Sequence, residues 1–170
     1  MAQVKLLIEG YAMGADEIES ASSAVVLVQD DNLNAIVDPG MNRKLLLDSL
    51  AKERLNVEDI DCIILTHNHL DHSLLAGIFP NAEVIDDSGI YSFDGKISTH
   101  KGKISNTSIE IIKTPGHDQF HCSVLASTGD LGTIVIAGDV FWWRDEEKQE
   151  TDKLSLMEHN DPYVKDKDSL

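Results

Sequence analysis

The sequence predicts an α+β fold in which sheets pack together and helices lie outside them. Three observations carry this prediction. Short apolar runs of strand length recur along most of the chain, and only a few amphipathic stretches separate them. One run, Cys62-Ile63-Ile64-Leu65, has nothing polar inside it, as strands buried on both faces do. The 170 residues suffice for one domain with a real core and leave little room for another, so residues 1–170 read as a single domain.

Taken in order, residues 4–8 and 24–29 read as strands, and the Gly- and Ser-containing stretch 10–23 between them as a long loop. Residues 35–37 form a third short strand, stopped by Asp38-Pro39-Gly40. Apolar residues at Leu45, Leu46, Leu50 and Leu55, with basic residues nearby, predict an amphipathic helix over 43–55. The buried strand 62–65 leads into Thr66-His67-Asn68-His69-Leu70-Asp71-His72 and then a short helix over 73–79. A strand at 82–85 follows, and 91–98 alternates around Asp94-Gly95 as a hairpin does. Strands are expected over 108–113, 121–126 and 133–137. After Asp139 the chain becomes charge-rich, with few apolar anchors.

Charge narrows the function. Fourteen Lys and Arg against thirty Asp and Glu give a net charge of −16. A chain this acidic repels a phosphate backbone unless a metal or a local basic patch intervenes, so nucleic acid is a disfavoured partner. The same charge disfavours a membrane surface. The start, MAQVKLLIEG, has neither the apolar length of a span nor the form of a signal peptide, so a cytoplasmic location is expected. Cys62 and Cys122 form no CxxC pair and read as small core residues.

Three strand ends carry polar residues that hydrophobic packing does not require. The first holds His67, His69, Asp71 and His72. In extended backbone, residues two apart point the same way, so His67 and His69 can converge on one point while Asp71 and His72 face another close by. The second is Thr114-Pro115-Gly116-His117, and the third is Ala137-Gly138-Asp139. Imidazoles and carboxylates together suit Zn²⁺, and also Fe or Mn. A single His or Gly-Asp in a loop is usually a surface or turn residue, but the cluster of four within seven positions would be costly to bury without a partner. His121 reads equally as a pocket residue or a strand histidine, and His100 as a loop residue. Trp142 and Trp143 read either as a wall over the metals or as residues that pack under a further helix.

THNHLDH resembles the THxHxDH signature of the metallo-β-lactamase superfamily, and VDPG, TPGH and AGDV match its other motifs in order over about residues 4–140. The resemblance implies a four-layer αββα sandwich with metals at one edge between the sheets. It assigns His67, His69 and His117 to a first metal, Asp71 and His72 to a second, and Asp139 to the bridge between them. Asp38 would support the metal loop, or else be a simple turn residue before Pro39. The segments FPNAEVI and GDVFWWRDE resemble the branch called metallo-β-lactamase-domain-containing protein one, close to the glyoxalase II hydrolases. The family adds a last histidine to the second metal, and nothing after Asp139 matches it; His159 stands in a polar context. The sequence therefore leads us to expect a domain that lacks its last helix or strand and this final ligand, with the second metal held more weakly than the first.

The implied function is a hydrolase that uses metal-bound hydroxide, with two Zn²⁺ in the complete protein and Asp71 as the catalytic group that orients the nucleophile and handles its proton. The leading substrate is an ester or thioester of a small molecule, as in glyoxalase II. Three alternatives stand beside it: a phosphodiesterase or endoribonuclease, a mono-iron enzyme like the persulfide dioxygenases, and a metal-binding module without turnover. Oligomeric state is open, with a dimer among the options.

Overall fold

The structure, a computed structural model, describes residues 1–15 and 18–141. Its strands in chain order are β1 (Gln3–Ile8), β2 (Tyr11–Ala15), β3 (Ile18–Ser22), β4 (Val25–Asp30), β5 (Leu33–Val37), β6 (Cys62–Ile64), β7 (Glu83–Ile85), β8 (Ile90–Tyr91), β9 (Ile97–Ser98), β10 (Ile109–Lys113), β11 (Cys122–Ser127) and β12 (Thr133–Ile136). Helix α1 (Arg43–Lys52) lies between β5 and β6, and α2 (Leu70–Ser73) between β6 and β7. The large sheet runs β1-β4-β5-β6-β7-β8-β9, and a smaller one runs β10-β11-β12. Among the described strands β5, β6 and β7 pair in parallel and the other strand pairs are antiparallel.

Alternation along the central strands separates two cores. Val26 and Val28 of β4, Ala35 and Val37 of β5, and Cys62 and Ile64 of β6 face the small sheet, where Ile109, Ile111, Cys122, Val124 and Ala126 meet them. The intervening Val25, Leu27, Ile36 and Ile63 face the other way and pack with Leu46 and Leu50 of α1 and with Leu75 and Phe79. Central strands apolar on both faces are what this layering demands, which explains the uninterrupted apolar run of β6. The small sheet differs on its far face, where Ile112 and Val135 stay exposed. Among the described residues, then, helices cover one outer face of the sandwich. Expectations for Trp142, Trp143, His159 and the C-terminal part fall outside the described residues. No helix among those described is long and apolar enough to cross a membrane.

Three local expectations need correction. The stretch read as a loop over 10–23 forms the β2–β3 hairpin, with Tyr11 opposite Ser22 and Ala12 opposite Ala21. Its small and polar residues carry no apolar alternation, so backbone pairing builds strands that side chains do not announce. Helix α1 stops at Lys52 rather than Leu55. Arg54 takes φ +61, its N–H bonds to the Ala51 carbonyl, and the Leu55 N–H reaches back to Leu50, a Schellman closure made without glycine. The helix expected over 73–79 begins at Leu70, and residues 76–78 form a separate 3₁₀ turn. Its start is hidden because the N-cap is His69, whose side chain makes no capping bond.

This layering gathers chain ends at one rim. Parallel β5 and β6 finish side by side and deliver Asp38 and Thr66 there, and the Cys122 N–H joins the sheets by donating to the Thr66 carbonyl at 2.8 Å.

Candidate metal centre

The centre is built outward from Asp38. This residue leaves β5 at φ +50, a left-handed backbone that Asp tolerates better than most side chains, and its carboxylate is buried. Oδ1 accepts the Thr66 N–H at 2.8 Å, and Oδ2 accepts the Thr66 hydroxyl at 2.7 Å. Oδ2 also lies 2.9 Å from Nδ1 of His72. The threonine hydroxyl has one proton and gives it to Asp38, so toward His67 Nδ1, at 3.1 Å, it can only accept. His67 therefore carries its proton on Nδ1, and its Nε2 is a bare lone pair. That Nε2 is buried with no hydrogen-bond partner. Buried polar atoms left unpaired are rare and mark either strain or an absent partner. One carboxylate thus orients two imidazoles, His72 directly and His67 through Thr66.

The elements that follow bring up the rest. His69, in extended backbone before α2, keeps its ring free of capping and directs it inward. Beyond β10, the Thr114-Pro115-Gly116 turn delivers His117, whose Nε2 lies 3.0 Å from Nδ1 of His69. Beyond β12, Asp139 places Oδ2 3.6 Å from His117 Nε2 and 3.9 Å from His67 Nε2. One ligand atom from each of His67, His69, His117 and Asp139 falls within 4.8 Å of the others. Asp139 Oδ1 turns to His72, 3.2 Å from its Nε2, and Asp71 Oδ2 lies 3.6 Å from the same nitrogen. All six residues singled out from the sequence therefore meet at one place. They divide into three imidazoles on one side of Asp139, and His72 with Asp71 on the other.

Proton affinities follow from this arrangement. Burial and the neighbouring His72 hold His67 well below the usual imidazole range, which keeps it neutral. His72 is also buried, but its bonds to Asp139 and Asp38 outweigh the desolvation and raise it to about 10. Burial works against ionised Asp139, yet the hydrogen bond from His72 keeps it below the ordinary carboxylate range. Three imidazole nitrogens with a carboxylate are a donor set for zinc and also for iron or manganese, and the orphaned His67 Nε2 is the atom that such an ion would satisfy.

His121 joins no ligand group. It is buried against this centre, and burial lowers its proton affinity. Its Nε2 accepts the Asp139 N–H at 3.2 Å, so it serves the backbone. His100 ties its own loop together: Nε2 lies 2.7 Å from the Asp86 carbonyl, and Nδ1 accepts the Gly102 N–H. Cys62 and Cys122 are buried and free, with thiols that burial pushes up to about 12. Thr66 has a role that its sequence context signals only faintly, as a hydroxyl immediately before the first histidine at the end of a buried strand.

Residues 20–162 match the family model described as metallo-beta-lactamase superfamily. The chain is 29% identical to metallo-beta-lactamase domain-containing protein 1 of Xenopus laevis, over 95% of its own length and 77% of the frog protein's. It is 35% identical to the mouse protein of the same name over 62% of the chain, but spans only 44% of that relative's length. Among solved structures, a probable metal-dependent hydrolase from Staphylococcus aureus superposes with a TM-score of 0.58 at 20% identity, covering 82% of this chain and 73% of that one. AidC, a dizinc quorum-quenching lactonase, superposes with a TM-score of 0.52 at 18% identity, over 69% of this chain and 56% of its own. These structural likenesses show the fold.

Proposed function

This chain belongs to the metallo-β-lactamase superfamily, and we propose that it is a metal-dependent hydrolase of an ester or thioester bond in a small molecule. The observation that carries this reading is the orphaned, buried Nε2 of His67 in a group of four ligand atoms that all lie within 4.8 Å. In the proposed assignment His67, His69 and His117 would hold one ion and Asp71 and His72 a second, with Asp139 available to both, and zinc would be the metal.

A bound divalent ion would lower the pKa of water to about 7 and polarise the scissile carbonyl. The chain's own groups do the rest. Asp38 fixes the tautomers of His67 and His72, so both present an Nε2 lone pair when the centre is loaded. In the metal-free chain His72 carries a proton on each ring nitrogen, Nδ1 toward Asp38 and Nε2 toward Asp139, and must release the one on Nε2 for that nitrogen to serve as a ligand. Asp71, on the first turn of α2 with its side chain one-third exposed, faces this centre from the solvent side. It accepts the proton of the attacking water and later returns it to the departing alkoxide or thiolate. The net charge of −16 favours a small substrate over a polyanion.

The test is turnover of p-nitrophenyl acetate and of an aryl thioester by purified protein. We expect activity that a chelator removes, that Zn²⁺ restores, and that His67→Ala lacks. Turnover indifferent to chelation would refute the proposal. Cleavage of bis(p-nitrophenyl) phosphate in preference to both esters would refute the substrate class.

A further inference from the structure

We propose that His121 is a positioning residue that clamps the Ala137-Gly138-Asp139 turn and so sets where the Asp139 carboxylate stands; the inference rests on Asp139 being a metal ligand.

A fully buried imidazole is costly unless both nitrogens are paired, and here each pairing is fixed in direction. The Asp139 backbone N–H can only donate, so His121 Nε2 accepts it and is bare, and the ring proton lies on Nδ1. Nδ1–H then donates to the Thr114 hydroxyl at 2.9 Å. Thr114 passes its own proton to Ser123 Oγ, also at 2.9 Å, and the Ser123 hydroxyl points to the Ala137 carbonyl at 3.5 Å. The series begins at the amide of Asp139 and ends on a carbonyl two residues earlier. It closes around one turn, made from Thr114 just past β10, His121 just before β11 and Ser123 within β11.

Steric fit points the same way. Gly138 sits at φ +57, and a Cβ there would lie 2.7 Å from His121 Nε2 and 2.7 Å from Thr66 Oγ1. The turn is therefore pressed against the ring with no room for a side chain. The His121 ring also lies against that of His67, with centroids 5.2 Å apart and planes tilted by 33°. Because its Nε2 is engaged by an amide, His121 adds nothing to the donor set; it acts through Asp139. That carboxylate reaches His72 with one oxygen and His117 and His67 with the other, so loosening its turn disturbs both sides of the centre at once.

Two measurements test this. The first is a long-range ¹H–¹⁵N correlation spectrum of the metal-free wild type. We expect His121 as the Nδ1–H tautomer with unprotonated Nε2, and the opposite tautomer would overturn the clamp. The second is Zn²⁺ affinity by chelator competition. His121→Phe keeps the volume but removes both polar atoms and is expected to weaken zinc by about 10–100-fold. His121→Gln, whose amide offers both an acceptor and a donor, is expected to stay within about threefold of wild type, a rescue that a purely packing role would not give. If circular dichroism shows that His121→Phe is unfolded, Thr114→Val cuts the circuit one step away and is expected to weaken zinc by about tenfold. Unchanged zinc affinity in the folded variant overturns the proposal. A wild type that binds no zinc would count against the metal centre, whereas the tautomer is read without metal.

Discussion

The two rims of the large sheet each bury a carboxylate, and the two are used differently. Asp30 ends β4 at one rim; Asp38 follows β5 at the other; both are 2% exposed. Asp30 accepts from the amino terminus of Met1, from the Ser108 amide and from the Ser108 hydroxyl. Its donors pull the chain just before β1 and just before β10 onto the end of β4, and they end there. Asp38 also accepts three donors, but its bonds lead on, through His72 to Asp139 and through Thr66 to His67, whose Nε2 has no hydrogen-bond partner. A buried polar cluster whose bonds close on themselves is a fastener. One whose bonds leave an acceptor bare is a site.

Breaking the ligand side of this comparison gives the largest effects. Asp139→Ala and His117→Ala are each expected to lower chelator-sensitive hydrolysis by at least about 10²-fold while the protein stays folded, as checked by initial rates beside circular dichroism. Asp38→Asn comes next. Its amide would turn a donor toward a position where Thr66 or His72 already donates, and zinc affinity by chelator competition should fall by about 10–100-fold.

Asp30→Asn should do the converse, costing about 1–3 kcal/mol in urea unfolding and leaving zinc affinity unchanged. Its pH dependence has a definite sign. Burial opposes ionisation, but the amino terminus and Ser108 outweigh it and lower Asp30 from 3.8 to about 2. Stability from this group is therefore present above about pH 4 and lost as pH falls toward about 2. The Asn variant should lose that part of the acid slope. Ser108→Ala removes one of the donors and should cost least, about 1 kcal/mol in the same unfolding assay.

The same contrast explains what the sequence revealed. His67, His69, Asp71 and His72 were legible because such residues at the end of an apolar strand have no packing purpose. The strand at 62–65 was legible because burial on both faces leaves an unbroken apolar run. The β2–β3 hairpin was not, since Gly14, Ser20 and Ser22 give no alternation and its register lies in backbone bonds. The start of α2 was hidden for a functional reason: His69 stands at the cap position but directs its ring to the cluster, so the usual capping signal is missing. The Asp30 fastener and the His121 circuit were illegible because their partners lie 78 and 18 positions away and meet only in the fold. For Asp38 the sequence allows either a support or a turn residue, and it is both, in left-handed backbone with its carboxylate spent on Thr66 and His72.

Separate strand ends converge at one rim, and the proposed centre needs them to grip a divalent ion together. Equilibrium dialysis against Zn²⁺ followed by elemental analysis, on wild type, His117→Ala and Asp30→Asn side by side, tests it most directly. We expect at least one tightly held ion per chain in wild type and in Asp30→Asn, and loss of that ion in His117→Ala. Equal zinc in wild type and His117→Ala, or none in either, would contradict it.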